Sequence, residues 1–339
     1  MKQRYQNLLA RRSIPNRAIT ESFRYNSLLE SEDLRYLLGA MDPLDTKYTE
    51  ICLDEANRVA KYLQDNTDTR FQGSITTNTH IRYHSDIDIV TLSRVFSYSE
   101  TPVPPFLPST FDPVAALRAQ RVASRNTIRS NFPAVDIDEK KARALTLTGG
   151  SLKRKIDLVT ANWYHTDDAK KHNTEVLNGI QLLDIVQNTR ILNKPFFHQA
   201  LINYKGNETN DGAKRAMRLL KTLKVDAETR IDISSYDICS IVYNIGSNLL
   251  PGGEGASLLN AKNVEDYLWK ISENDGAIAK TLSVPNGTRK IVDAAEGTSV
   301  AAIKALWLEI YRLLRSIQES GKTVDRQYIF ENNAMKAAT

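Results

Sequence analysis

Two aspartates one residue apart, Asp86 and Asp88, head an apolar run that continues Ile89-Val90-Thr91-Leu92. On a strand, residues two apart share a face, so both carboxylates would project together. Side by side they repel unless a cation lies between them. Hard divalent ions such as Mg²⁺ take oxygen ligands from a few carboxylates and complete their shell with substrate phosphates. A third aspartate, Asp157, stands in a second apolar run, Ile156-Asp157-Leu158-Val159. From an adjacent strand it would supply the third carboxylate. Two Mg²⁺ ions (Mn²⁺ as a substitute) about 3.5–4 Å apart then fit, one activating an acceptor hydroxyl and the other steadying a triphosphate and its leaving pyrophosphate. Ser74 stands twelve residues before Asp86 and follows Gly73. A Gly-Ser turn lets backbone amides approach phosphate closely, and the hydroxyl adds a donor. Each piece alone reads as a solvated strand edge or a common turn. Their joint order carries the chemistry, because burying three carboxylates without a cation costs on the order of several kcal/mol.

The elements that must hold these groups follow from periodicity. Residues 20–38 are expected to be helical, and Asp42-Pro43 breaks the chain. From Asp45 to Gln64, Tyr48, Ile51, Cys52, Ala56, Val59, Ala60 and Leu63 recur at helical spacing, which predicts a long helix with one core-facing stripe. It ends ahead of Phe71-Gln72-Gly73-Ser74, and a strand follows over Asp86–Leu92. Ser97–Pro113 contains five prolines and reads as a loop, with a basic helix from Val114 to Ser130. Ala144–Thr148 and Arg154–Val159 read as a hairpin around Gly149-Gly150, and Gly179–Val186 as a strand. Beyond Asn210 the pattern is helical over 211–224, 234–248, 264–273 and 299–318, with Ser234, Asn263 and Ser299 as N-caps. The fold class is α+β: a mixed-sheet N-lobe, a mainly helical C-lobe and the active site in the cleft between. The segments are a basic arm over 1–18, the core lobe with its spine helix over 19–165, the helical lobe over 166–325 and a flexible tail over 326–339.

A chain of 339 residues, 41% apolar and 25% charged, can bury a sizeable core. Its net charge of +5 suits nucleoside triphosphates and nucleic acid alike and does not choose between them. Two cysteines within apolar helical patterns suit a reducing compartment, so a cytoplasmic location is expected. No apolar run reaches the length of a membrane helix, and Met1–Ala18 has neither an acid nor the apolar stretch of a signal peptide. The five histidines are scattered, which does not suggest a zinc site.

Gly73-Ser74, an eleven-residue spacer, Asp86-x-Asp88 and a later strand aspartate together resemble the DNA polymerase beta-like nucleotidyltransferase superfamily. Within it, the stretch from about Thr46 to Ile317 resembles the cyclic GMP-AMP synthase/DncV-like nucleotidyltransferases (CD-NTases) of bacterial anti-phage signalling. The spacing matches, as do Thr79 and the Ser85 before Asp86. The run Lys214–Lys221 is similar to a C-lobe helix whose basic residues hold the triphosphate. Lys214 and Arg218 lie four apart on one face, as a clamp requires, although a solvated helix face has the same pattern. Ser235-Tyr236 is similar to a pair in which serine touches phosphate and tyrosine stacks on the base, a buried core tyrosine being the plain alternative. The loop Ile75–Thr79 has less glycine than in many relatives. Asn162 stands where a base-reading residue could sit.

The resemblance implies an enzyme that makes a cyclic oligonucleotide second messenger from nucleoside triphosphates, sensed by an effector protein encoded elsewhere. Nucleic acid would not be required, although the basic arm could bind it. RNA- or protein-directed nucleotidyl transfer and a catalytically silent nucleotide-binding module are the alternatives.

Overall fold

A computed structural model describes residues 4, 6–8, 31–63, 67–81, 86–102, 104 and 110–320. Most of the basic arm, the start of the first expected helix, Ser85 and the tail lie outside these residues. The chain divides into two compact units: residues 45–78 with 85–201, and residues 1–44 with 79–84 and 202–339.

The first unit is built on a mixed eight-stranded sheet. Its strands are β1 (Thr67–Gln72), β2 (Ile87–Ser93), β3 (Tyr98–Ser99), β4 (Asp136–Asp138), β5 (Ala144–Thr148), β6 (Ile156–His165), β7 (Gly179–Asp184) and β8 (Thr189–Asn193). The ten-residue β6 is the hub. Its first half pairs in parallel with β2 and antiparallel with β5. Its second half pairs in parallel with β3 and antiparallel with β7. Because β7 and β8 extend the same sheet, this unit runs on to Leu201 rather than ending near residue 165. The boundary expected from sequence falls 36 residues early, since the strand pairing that decides it is non-local.

Two helices of this unit, α1 (Thr46–Lys61) and α2 (Pro113–Asn131), pack on the sheet. Asp45 accepts from Lys47 N at 2.8 Å to start α1, and Asp112 accepts from Val114 N and Ala115 N to start α2, with Pro113 in its first turn. The α1 stripe is buried through Tyr48, Cys52, Ala56, Val59 and Ala60, while Ile51 is left exposed. Helix α2 covers one sheet face: Leu117 packs with Leu183, and Gln120 donates to Thr91 O at 2.8 Å. On the other face Val90, Leu92, Ala144, Val159, Ala161, Ile180 and Leu182 form an apolar cluster under Phe196. A short helix, α3 (Asp167–Lys171), links β6 to β7.

The second unit is helical. Helix α4 (Pro195–Glu208) contains the division between units, and α5 (Gly212–Asp226), α6 (Ser235–Tyr243), α7 (Ser257–Ser272) and α8 (Val300–Ser320) follow. Glu32–Met41, the described part of the first expected helix, belongs here and contacts α5. Ser234 and Ser299 cap α6 and α8 as expected, accepting from Asp237 N at 2.9 Å and Ala302 N at 3.1 Å. Asn263 is no N-cap. It lies inside α7, which starts six residues earlier, and donates to Leu249 O at 3.0 Å. Helix α5 is the axis of this core, with Ala213, Ala216, Met217, Leu219, Leu220 and Leu223 all 0% exposed.

Strand β2 carries the aspartates because Ile89, 0% exposed, anchors its back face. Ile89→Ala should destabilise the protein by about 2–5 kcal/mol, read as a lower urea midpoint with an unchanged denaturant slope.

Candidate active site

The parallel pairing of β2 with β6 sets Asp88 opposite Asp157, Cα partners in the ladder. Both side chains therefore project from the same sheet face, roughly one strand spacing apart, about 4.8 Å. Asp86 stands one residue before β2 and in phase with Asp88. Gly73 follows β1 and takes a left-handed φ of +85°. A Cβ there would come within 2.3 Å of Asp88 Oδ2, so only glycine lets the turn close over this carboxylate. The sheet thus gathers Gly73, Ser74, Asp86, Asp88 and Asp157. The strand β1 that delivers Gly73 was not read from sequence. Its opening run of polar residues, Thr67-Asp68-Thr69-Arg70, gives no apolar period.

Threonines shape the loop after Ser74 in place of glycine. Thr76 Oγ1 donates to Gly73 O at 2.8 Å and Thr77 Oγ1 to Ser74 O at 3.3 Å, while Asn78 takes φ +54°.

Crowding of like charge shows on Asp88. Burial first, then the charges of Asp157 and Asp86, push its carboxyl up to about 7. Two ammonium groups, neither foreseen in the sequence, offset part of this charge. Lys155 Nζ donates to Asp86 Oδ2 and lies 4.0 Å from Asp157 Oδ2. Lys141 Nζ lies 3.0 and 3.3 Å from the two oxygens of Asp157. Thr146, the ladder partner of Asp157 on β5, donates its hydroxyl to Asp157 Oδ1 at 2.6 Å. Burial lowers the Lys155 pKa, but the hydrogen bond to Asp86 and the charges of Asp157 and Asp86 outweigh it and hold it raised. Period two could have signalled Lys155, which stands two residues before Asp157. Thr146 is brought in by the register of β5 with β6, and Lys141 by the connection between β4 and β5.

Among the described residues no three His, Cys, Asp or Glu side chains already converge as a metal cage. Asp86 and Asp157 are turned toward the lysines. The donor set itself, all carboxylate oxygen and partly compensated by cations, suits a hard divalent ion.

The remaining expected residues, Asn162 apart, belong to the helical unit. Lys214 is partly buried and donates from Nζ to Asn203 Oδ1 at 2.8 Å, with its pKa lowered chiefly by burial. Arg218 is corrected. At 1% exposed it offers no triphosphate face; it donates from Nε to Met41 O at 2.7 Å and from Nη2 to Asp211. At Arg218 this face of α5 points into the core, so the guanidinium is spent on structure. Arg215 likewise pairs with Asp42 at 3.0 Å, and Lys221 donates to Thr79 O at 2.9 Å. Ser235 is exposed in the first turn of α6. Tyr236 is partly buried and donates to Asn286 Oδ1 at 3.2 Å, and the Arg289 guanidinium lies 5.2 Å from its ring centroid. Asn162 is also corrected. Five residues from Asp157 on one strand, it points to the opposite face, is 0% exposed, and donates to Gln181 Oε1 at 3.1 Å.

The sequence is 35% identical over 274 residues to the cyclic dinucleotide synthase CdnE of Yersinia aleksiciae, covering 78% of this chain and 71% of that one. The chain belongs to the CD-NTase family. It is also 25% identical over 338 residues to a c-di-GMP synthase of a Lachnospiraceae bacterium, covering 86% of this chain and 92% of that one. The CD-NTase fold superposes on the STING-associated CdnE c-di-GMP synthase of Capnocytophaga granulosa with a TM-score of 0.75 at 26% identity, covering 94% and 99% of the two chains. The CdnE c-UMP-AMP synthase of Rhodothermus marinus shares the fold, with a TM-score of 0.65 at 15% identity over 83% and 95%. No family model matches the sequence. Among the described residues no helix is long and apolar enough to cross a membrane.

Between pH about 4 and 7 the folded metal-free protein holds a proton on Asp88 that the unfolded chain, at 3.8, has released. Stability should therefore fall as pH rises through that window. In chelator, thermal melts of Asp88→Asn should show a flatter pH dependence than the parent; equal slopes would contradict the assignment.

Proposed function

We propose that this CD-NTase joins nucleoside triphosphates into a cyclic oligonucleotide second messenger for anti-phage signalling, with an effector encoded elsewhere that senses the product. The observation carrying the reading is the Asp88–Asp157 ladder pair beside Asp86, in a chain whose relatives are cyclic dinucleotide synthases.

Asp86, Asp88 and Asp157 are the proposed ligands of divalent metal, Mg²⁺ with Mn²⁺ as a substitute. When bound, the metal supplies charge neutralisation at the triphosphate and acidifies the acceptor hydroxyl. Asp157, its Oδ1 held by Thr146, takes the proton of the acceptor ribose hydroxyl. That oxygen attacks the donor α-phosphate, and pyrophosphate leaves. The Gly73-Ser74 turn binds donor phosphate through backbone N–H groups and the Ser74 hydroxyl. In the helical unit, Lys214 and Ser235 are the proposed phosphate contacts and Tyr236 the proposed base platform. Arg218 contributes by holding the Met41 carbonyl and Asp211. Catalysis comes from positioning and charge. A second transfer on the linear intermediate closes the ring.

Purified protein given Mg²⁺ and all four labelled ribonucleoside triphosphates should yield a phosphatase-resistant product whose mass identifies its bases. Asp86→Ala with Asp88→Ala should reduce it at least about a thousandfold, the loss expected when a principal electrostatic stabiliser is removed. A requirement for added RNA or protein would favour directed nucleotidyl transfer, and pyrophosphate release without a new nucleotide would exclude cyclisation.

A further inference from the structure

The acidic trio carries its own counter-ions, and both are held from behind. Lys155 bridges Asp86 and Asp157. The connection leading into it is fastened to α1. Glu55, 7% exposed, accepts from Lys153 N at 2.7 Å, and Arg58 donates to Ser151 O at 2.9 Å. Ile87 N then donates to Lys155 O at 3.1 Å, fixing the Lys155 backbone beside the start of β2. The segment carrying Lys141 is fastened by α2. Arg121, 6% exposed, donates through Nη2 to the carbonyls of Glu139, Lys141 and Ala144 at 3.2, 3.2 and 2.9 Å. A guanidinium committed to three carbonyls of one loop leaves that loop little freedom, so the Lys141 ammonium is delivered to Asp157 by construction. Pairs between flexible surface side chains are usually worth little. These differ because the backbone of each lysine is anchored and the carboxylates they meet are crowded and partly buried.

We propose that Lys155, seconded by Lys141, is a built-in counter-ion that occupies the place of the divalent cation in the metal-free enzyme and gives way when the cation binds. The inference rests on the assignment of a divalent ion to Asp86, Asp88 and Asp157. Its physical content is competition. An ammonium between the carboxylates relieves the repulsion that would otherwise strain the cluster. The entering ion must displace that ammonium, which lowers the apparent affinity for metal alone. Lys155 is thus a positioning residue that keeps the trio gathered and sets the threshold for metal entry.

The test uses the full chain without nucleotide. Mn²⁺ binding is measured from the free-ion electron paramagnetic resonance signal for the parent, Lys155→Met and Lys155→Arg. Loss of one charge-assisted contact from the competitor should tighten Mn²⁺ binding in Lys155→Met by about tenfold, while Lys155→Arg stays near the parent. In parallel, reductive methylation read by mass spectrometry should label Lys155 faster once saturating Mg²⁺ is added to the parent, and should be unchanged by Mg²⁺ in an Asp86→Asn Asp88→Asn double variant. Equal or weaker Mn²⁺ binding by Lys155→Met, or parental labelling indifferent to Mg²⁺, would overturn the counter-ion role and leave the metal assignment standing. A parent and variants that all fail to bind Mn²⁺ would overturn both.

Discussion

Two strands running parallel with aspartates in register create a problem that the rest of the fold has to solve. Asp88 and Asp157 are ladder partners, so their carboxylates cannot be separated without breaking the sheet. Partial burial removes the water that would screen them, and Asp88 is accordingly pushed up to about 7. A site of this kind is tolerable only if positive charge is supplied. In the protein alone the supply is Lys155 and Lys141; a polyvalent cation with phosphate oxygens completing its shell is a stronger solution to the same problem.

Support for the arrangement comes from both ends of the strands. The apolar cluster formed by Val90, Leu92, Val159 and Ala161 continues the aspartate face down β2 and β6, which holds the carboxylates at the mouth of a dry surface. On the opposite face, α2 fixes the sheet and, through Arg121, the loop that brings Lys141. Gly73 closes the turn against Asp88 at a distance no side chain would allow. Each device is cheap alone, and together they leave the trio a narrow range of positions.

What could be read from sequence divides along the same physical line. Asp86 and Asp88 were legible because a strand repeats every two residues, and Asp157 because it interrupts an apolar run. Helices with a strong stripe or a capping serine, such as α1, α6 and α8, were legible for the same local reason. Non-local pairing was not. Strand β1 lacks an apolar period, and the continuation of the sheet through β7 and β8 depends on register with β6. Thr146 reaches Asp157 only through the register of β5 with β6, and Lys141 only through a connection held by Arg121 of α2. Arg218 shows the opposite failure: helical spacing placed it with Lys214, but charge at 3.6-residue intervals does not say whether a face meets water or core. In α5 it meets core, with the guanidinium bonded to Met41 O and Asp211.

Kinship with cyclic dinucleotide synthases and the carboxylate geometry converge on one claim, that Asp86, Asp88 and Asp157 share divalent metal. A crystal of the protein grown with Mn²⁺ and a non-hydrolysable triphosphate, with diffraction recorded at the manganese edge, tests it most directly. An anomalous peak within coordination distance of all three carboxylates, with the lysine ammoniums drawn away, is expected. Bound triphosphate with no manganese peak among those carboxylates would contradict it.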